Sequence, residues 1–284
     1  MRHAAFYEKG ENGSVNCLLC PHLCVVMPGK YGACAARVNK DGEFYAAAYG
    51  RVTALALDPI EKKPLRRFHP GSMILSLGSY GCNFHCQFCQ NHSISMGEAP
   101  WRDMTPEEVA ALSLEFAPRG NIGLSYTYNE PLIGYEFVKD CAVLIREQGQ
   151  KNVLVTNGFI NTEPLLELLP IIDAMNIDIK CFTADYYKAL GGDLDSVKAT
   201  VETVTGACHV EVTTLIIPGK NDSAGEMESL AKWLAGIDRD ITLHITRFFP
   251  QYKMLDAQPT PLATLNAVAD AAKKHLRHVH LGNC

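Results

Sequence analysis

The chain has 284 residues, 47% of them hydrophobic, which is enough for one sizeable α/β core. Its net charge of −5 argues against general nucleic-acid binding. With no signal-like N-terminus and no apolar run of bilayer length, a soluble cytoplasmic protein that binds neither nucleic acid nor membrane is expected. Eleven cysteines is a high number for such a protein; in a reducing compartment, clustered cysteines point to metal or chemistry rather than to disulfides.

Residues 1–70 read as a Cys-rich appendage. Cys17, Cys20, Cys24 and Cys34 follow a C-x2-C-x3-C pattern with one further cysteine, interrupted by Pro and Gly turns. Four thiolates among tight turns suit zinc or a second iron–sulfur cluster, with His3 and His22 as substitute ligands; the competing reading is a cysteine knuckle that packs without metal. A metal would stabilise a segment with little core of its own. Phe44 to Leu57 has hairpin character about Gly50. Asp58 to Gly71, rich in proline, is an extended loop. Its charges suit a solvated face, or Lys63, Arg66 or His69 lies over the mouth of the site that follows.

Residues 71–284 change character. Met73 to Gly78 is a short buried strand that leads directly to Cys82, Cys86 and Cys89, spaced C-x3-C-x2-C. The C-terminal end of a strand is where α/β sheets and barrels place active sites. Three soft thiolates suit an iron–sulfur cluster or zinc. The loop offers no fourth ligand of the same kind, so a cluster there keeps one iron open for a small molecule. Downstream, Thr105-Pro106-Glu107-Glu108 starts a helix through a capping box. Strands over 122–126, 152–156, 174–180, 209–217 and 241–246 alternate with helices over 133–148, 163–169, 196–205, 225–234 and 261–275, and 278–281 adds a last strand. Six βα units from residue 73 argue for right-handed crossovers and a parallel sheet.

Polar residues gather at the predicted strand ends: Thr127 to Pro131, Thr156 to Phe159, Asn176 to Lys180, Ile217 to Asp222 and His244 to Arg247. Such alignment marks a site spread around a barrel rim. For Asp178 a salt bridge to Lys180 competes with a site role, and His244 on an apolar strand is equally a satisfied core histidine. Cys141, on an apolar helix pattern, is a core filler.

The cysteine loop, with Phe88 before the last cysteine, resembles the signature of the radical S-adenosylmethionine (SAM) superfamily. The resemblance implies a partial (β/α)6 TIM-like barrel and a [4Fe-4S] cluster on Cys82, Cys86 and Cys89. SAM would chelate the open iron and be cleaved to methionine and a 5′-deoxyadenosyl radical, with Phe88 packed on adenine. Asn129-Glu130-Pro131 is similar to the family's Gly-Gly-Glu-Pro segment, which binds the SAM amino group, but Tyr128 and Asn129 stand where glycines are usual. Thr156-Asn157-Gly158 resembles the Asp-Thr-Asn-Gly of glycyl-radical activating enzymes, with Val155 in place of the aspartate. Asp178 and Lys180 resemble their Asp-x-Lys, near the methionyl and ribose parts of SAM, and His244 stands where they carry a histidine facing the cofactor.

Four stretches (Cys17–Cys34, Asp58–Leu65, Gly81–Asn91 and His244–Pro250) are similar to the radical SAM member of the AmmeMemoRadiSam set, which itself resembles pyruvate formate-lyase activating enzymes. The resemblance implies a low-potential electron donor, flavodoxin or ferredoxin, and AMMECR- or Memo-type partners. The substrate would be a small molecule, a residue on a partner, or the glycine of a glycyl-radical enzyme. A zinc-binding interaction scaffold is the reading from another class.

Overall fold

In a computed structural model, residues 2–97 and 99–284 are described. Apolar runs form one eight-stranded sheet whose strands neighbour one another in chain order: β1 (Ala54–Pro59), β2 (Met73–Gly78), β3 (Asn121–Tyr126), β4 (Lys151–Thr156), β5 (Ala174–Asp178), β6 (His209–Ile216), β7 (Thr242–Arg247) and β8 (Val279–Gly282). Strands β2 to β8 are parallel; β1 runs antiparallel to β2, with Ala54 opposite Gly78 and Pro59 opposite Met73. Parallel neighbours need crossovers. These are supplied by α1 (Pro106–Glu115), α2 (Tyr135–Glu147), α3 (Thr162–Leu168), α4 (Ala184–Ala189), α5 (Leu194–Val204), α6 (Ala224–Ile237) and α7 (Leu262–Lys273). Because the strand order never reverses, the sheet curls one way into an open barrel. This is the α/β partial barrel expected from the sequence, with the expected last strand at one edge and β1 added at the other. The capping box forms as expected: Glu108 N donates to Thr105 Oγ1 at 3.2 Å, and Thr105 N donates to the Glu108 carboxylate at 2.8 Å.

Side chains alternate across the strands. Leu75, Leu77, Leu124, Leu154 and Met175 face the helices in the main core. On the other face, Ile74, Val153 and Ala174 meet Ile60 and Leu65, which plug the N-terminal mouth of the barrel. Polar Asn176, Glu211, Thr213 and His244 lie buried above that plug.

Two small antiparallel sheets precede the barrel, one of Arg2–His3, Glu43–Ala46 and Arg37–Lys40, the other of Tyr7–Lys9, Val15–Cys17 and Val25–Val26. Their Val15, Cys17, Leu19 and Phe44 share the main core. Arg37 reaches α2, with Nη2 2.8 Å from Glu136 Oε1.

Two sequence expectations are corrected here. The hairpin does not turn about Gly50. It turns at Asp41-Gly42, both at positive φ (53° and 87°), the pairing favoured in type I′ hairpins. Val52 instead pairs with Arg102, and residues 54–59 become β1, so the barrel sheet begins inside the stretch assigned to the appendage. The loop after Pro59 also lies at the end of the barrel opposite the cysteines. Since β1 is antiparallel, the chain leaves it beside Met73, at the start of β2. The loop is held there by Asn176 Nδ2 donating to Pro64 O (2.8 Å) and by Arg66 N and Arg67 N donating to Glu211 (3.0 and 2.8 Å).

Among the described residues, no helix is long and apolar enough to cross a membrane.

Candidate metal centre

The cysteine loop begins where β2 ends. Gly81 has φ 86°, and a Cβ there would lie 2.3 Å from Cys34 O, so only glycine lets the loop pass the N-terminal segment. Asn129 fixes the base of the loop: its Oδ1 accepts from Ser79 N (3.0 Å), and its Nδ2 donates to Tyr80 O and Gly81 O (3.2 and 3.1 Å). Asn83 ties the loop to the end of β4, donating to Phe159 O (2.9 Å) and accepting from Asn157 Nδ2 (2.8 Å).

Two N–H groups reach Cys82 Sγ, Phe84 N at 3.4 Å and Asn157 Nδ2 at 3.9 Å. Donors of this kind orient and tune a metal-bound thiolate. Burial, helped by Glu130, pushes the Cys82 thiol well up, and burial pushes Cys86 up to about 11 against the pull of Lys180. The positive charge of a bound metal would favour the thiolate form of both. Lys180 is the neighbouring cation. Burial opposes its charge, but Asp178, 2.8 Å away, and then Cys86 outweigh it and raise its pKa.

Among the described residues, no three Cys, His, Asp or Glu side chains are grouped so that they could hold one metal ion. A zinc ion draws its ligands to within about 2.3 Å of a single centre. A cluster instead gives each thiolate its own iron. Three soft thiolates on one loop are a donor set that suits an iron–sulfur cluster.

Asn129, Glu130, Thr156 and Asn157 are brought together with the loop. Buried Glu130 accepts from Thr156 Oγ1 (2.6 Å), Asn157 N (2.7 Å) and Leu132 N (3.0 Å). Burial raises its pKa and these bonds resist, leaving it at about 7. This carboxyl group straps the end of β3 to the end of β4. Tyr128 takes φ 72°, a left-handed backbone that costs a glycine little. The tyrosine is held in it by its OH donating to Asp58 (2.8 Å) and by Lys63 Nζ 4.8 Å from its ring centroid. Asp178 and Lys180 stand at the rim, half-buried and paired with each other. Phe88 is buried in the main core.

His244 lies elsewhere. Its Nε2 is 2.6 Å from Glu211 Oε2, deep in the lumen and directed toward the N-terminal plug. The ring is thus hydrogen-bonded inside the core, as one of the two readings of His244 expects. Glu211 is the residue that sequence reasoning missed. Burial disfavours its charge, but His209, His244 and the two arginine amides hold its carboxyl far below the usual range. The available signal was an acid between Val210 and Val212 on a buried strand, which must find donors.

In the N-terminal region, Cys17, Cys20, Cys24, Cys34 and His22 line one cavity. His3 is not among them; its ring lies against Tyr45.

The sequence description of the radical SAM superfamily matches residues 77–234, from the end of β2 into α6. The chain belongs to the radical SAM superfamily. It is 43% identical to an uncharacterized protein of Methanocaldococcus jannaschii, over all of this chain and 85% of that protein. It is 29% identical to a pyruvate formate-lyase-activating enzyme of Clostridium pasteurianum, over 55% of this chain and 67% of that one. Its fold is similar to that of a radical SAM methyltransferase from Sphaerobacter thermophilus, with TM-score 0.58 and 17% identity over 75% of this chain and 67% of the other. Membership of this family brings a [4Fe-4S] cluster and SAM as cofactors, and the three-thiol loop is the donor set that suits them.

Proposed function

We propose that this radical SAM protein is an enzyme that holds its cluster on Cys82, Cys86 and Cys89 and abstracts hydrogen from a substrate at the barrel rim. The carrying observation is the three-thiol loop at the end of β2, framed by residues whose hydrogen bonds are already made. When bound, cluster and SAM supply one-electron cleavage to methionine and a 5′-deoxyadenosyl radical. Asn129 and Glu130 fix the loop and the strand ends that shape the SAM pocket, together with Thr156 and Asn157. Asp178 and Lys180 are the charged pair offered to the methionyl and ribose parts, and Phe88 faces adenine. His244 acts through Glu211 as a positioning residue. The plug at the opposite mouth closes the lumen to water from below.

A flavodoxin or ferredoxin in the cytoplasm supplies the electron. The stretches shared with the AmmeMemoRadiSam member favour a small molecule, or a residue on an AMMECR- or Memo-type partner, as substrate. The likeness to the Clostridium pasteurianum enzyme favours a glycine in a glycyl-radical enzyme. The four N-terminal cysteines form a second metal centre, zinc or iron–sulfur.

Anaerobically reconstituted protein given SAM and reductant should release 5′-deoxyadenosine, detected by chromatography. An intact cluster without that product overturns the reading. A glycyl-radical signal on pyruvate formate-lyase incubated with the protein selects the activating-enzyme substrate; its absence selects the other.

A further inference from the structure

We infer that Cys17, Cys20, Cys24 and Cys34 hold a second iron–sulfur cluster, and that this cluster passes electrons to the one on Cys82, Cys86 and Cys89. The site stands on its own residues; only the hand-over depends on the rim cluster.

The four thiols line one cavity together with Arg37. Tight turns bring them there: Cys17 N donates to Cys24 O (2.9 Å), and Leu23 N donates to Cys20 O (3.1 Å). Four cysteine thiols on one cavity are a donor set that suits an iron–sulfur cluster as well as zinc, and the test below tells the two apart. Arg37 supplies an independent sign of an occupant. It is 1% exposed, and its two Nη atoms are taken by Glu136 and by Ala5 O. Among the described residues its Nε is buried without a hydrogen-bond partner. A buried donor left unpaired is costly, and cluster sulfur is an acceptor that would satisfy it. The guanidinium charge also offsets the anionic charge that four thiolates bring.

The cavity abuts the rim loop. Cys34 O is the atom that forbids a Cβ at Gly81. His22 Nε2 lies 2.7 Å from Asn83 O, and Asn157 joins Asn83 to Cys82 Sγ. The wall between the two cysteine sets is thus the Gly81-Cys82-Asn83 backbone. One electron from a reduced low-potential donor protein reduces the N-terminal cluster; that cluster then reduces the rim cluster and returns to its oxidised form. No atom or proton moves.

The test uses the full chain reconstituted anaerobically with iron and sulfide. A Cys82→Ala/Cys86→Ala/Cys89→Ala variant should retain about four irons and four sulfides, as one [4Fe-4S] cluster requires, with an EPR signal on reduction. Zinc alone or no metal in that variant overturns the site, whatever the rim loop does. Failure of the rim reading looks different: the wild type would then bind no more iron than the triple variant. With reduced flavodoxin as donor, a Cys20→Ala/Cys34→Ala variant should reduce its remaining cluster severalfold more slowly than the wild type does. An unchanged rate overturns the hand-over. The triple variant keeps the N-terminal segment native, so the site remains testable if the double variant does not fold.

Discussion

At the N-terminal mouth of the barrel Glu211 accepts from two histidines and two backbone amides, while at the C-terminal rim the Asp178 and Lys180 side chains pair with each other. Asp58, on the mouth side, likewise accepts from Lys62, Lys63 and the Tyr128 hydroxyl. Burial disfavours its charge, but these donors hold its carboxyl at about 2. The rim adds the three thiols of Cys82, Cys86 and Cys89. Both ends are rich in polar side chains, so polarity alone does not mark the site. What distinguishes the rim is its loop of three thiols at C-x3-C-x2-C spacing.

The sharpest way to break this comparison is at the rim. Cys82→Ala should abolish 5′-deoxyadenosine formation, because the rim loop then lacks one of the three thiols proposed to hold the cluster. Retained product formation would put the chemistry somewhere else.

At the mouth, the expected effect falls on stability. Glu211→Ala leaves His244 and two amides without their acceptor, and should cost roughly 3–5 kcal/mol by urea unfolding. A midpoint equal to that of the wild type would mean that the plug is not held as described. The same carboxylate gives a pH signature. Its folded pKa lies below the ordinary value of 4.5, so its contribution is full above that value and is lost as pH falls beneath it. Glu211→Gln should flatten the acid limb of the stability curve below about pH 4.5, and an unaltered acid limb would contradict the assignment. The smallest effect is expected for Lys62→Ala. Its side chain is 68% exposed, and an exposed i,i+4 pair with Asp58 should be worth no more than about 0.5 kcal/mol. A much larger loss would show that the exposed and buried lysines of this motif act as one network.

The alternation of apolar strands and amphipathic helices, the capping box at Thr105 and the cysteine loop after β2 are all local patterns, and all were legible from the chain. What was not legible depends on distant pairing. Nothing near residues 54–59 shows that they lie against β2, yet that antiparallel placement sends the charged loop to the opposite end of the barrel. The Glu211 partner of His244 was not legible for the same reason. A two-residue alternation says which face a side chain takes but not which end of the lumen its partner occupies, and Glu211 and Arg66 are far from it in sequence. Asn129 and Glu130 were placed near the right loop, though their side chains prove to be committed to the scaffold.

The central claim is that three thiolates hold a cluster whose remaining iron is open to SAM. EPR of the reduced Cys17→Ala/Cys20→Ala/Cys24→Ala/Cys34→Ala protein, recorded with and without SAM, tests it directly. The account predicts a [4Fe-4S] signal whose g-values shift when SAM is added. A signal indifferent to SAM, or a colourless protein carrying only zinc, would contradict it.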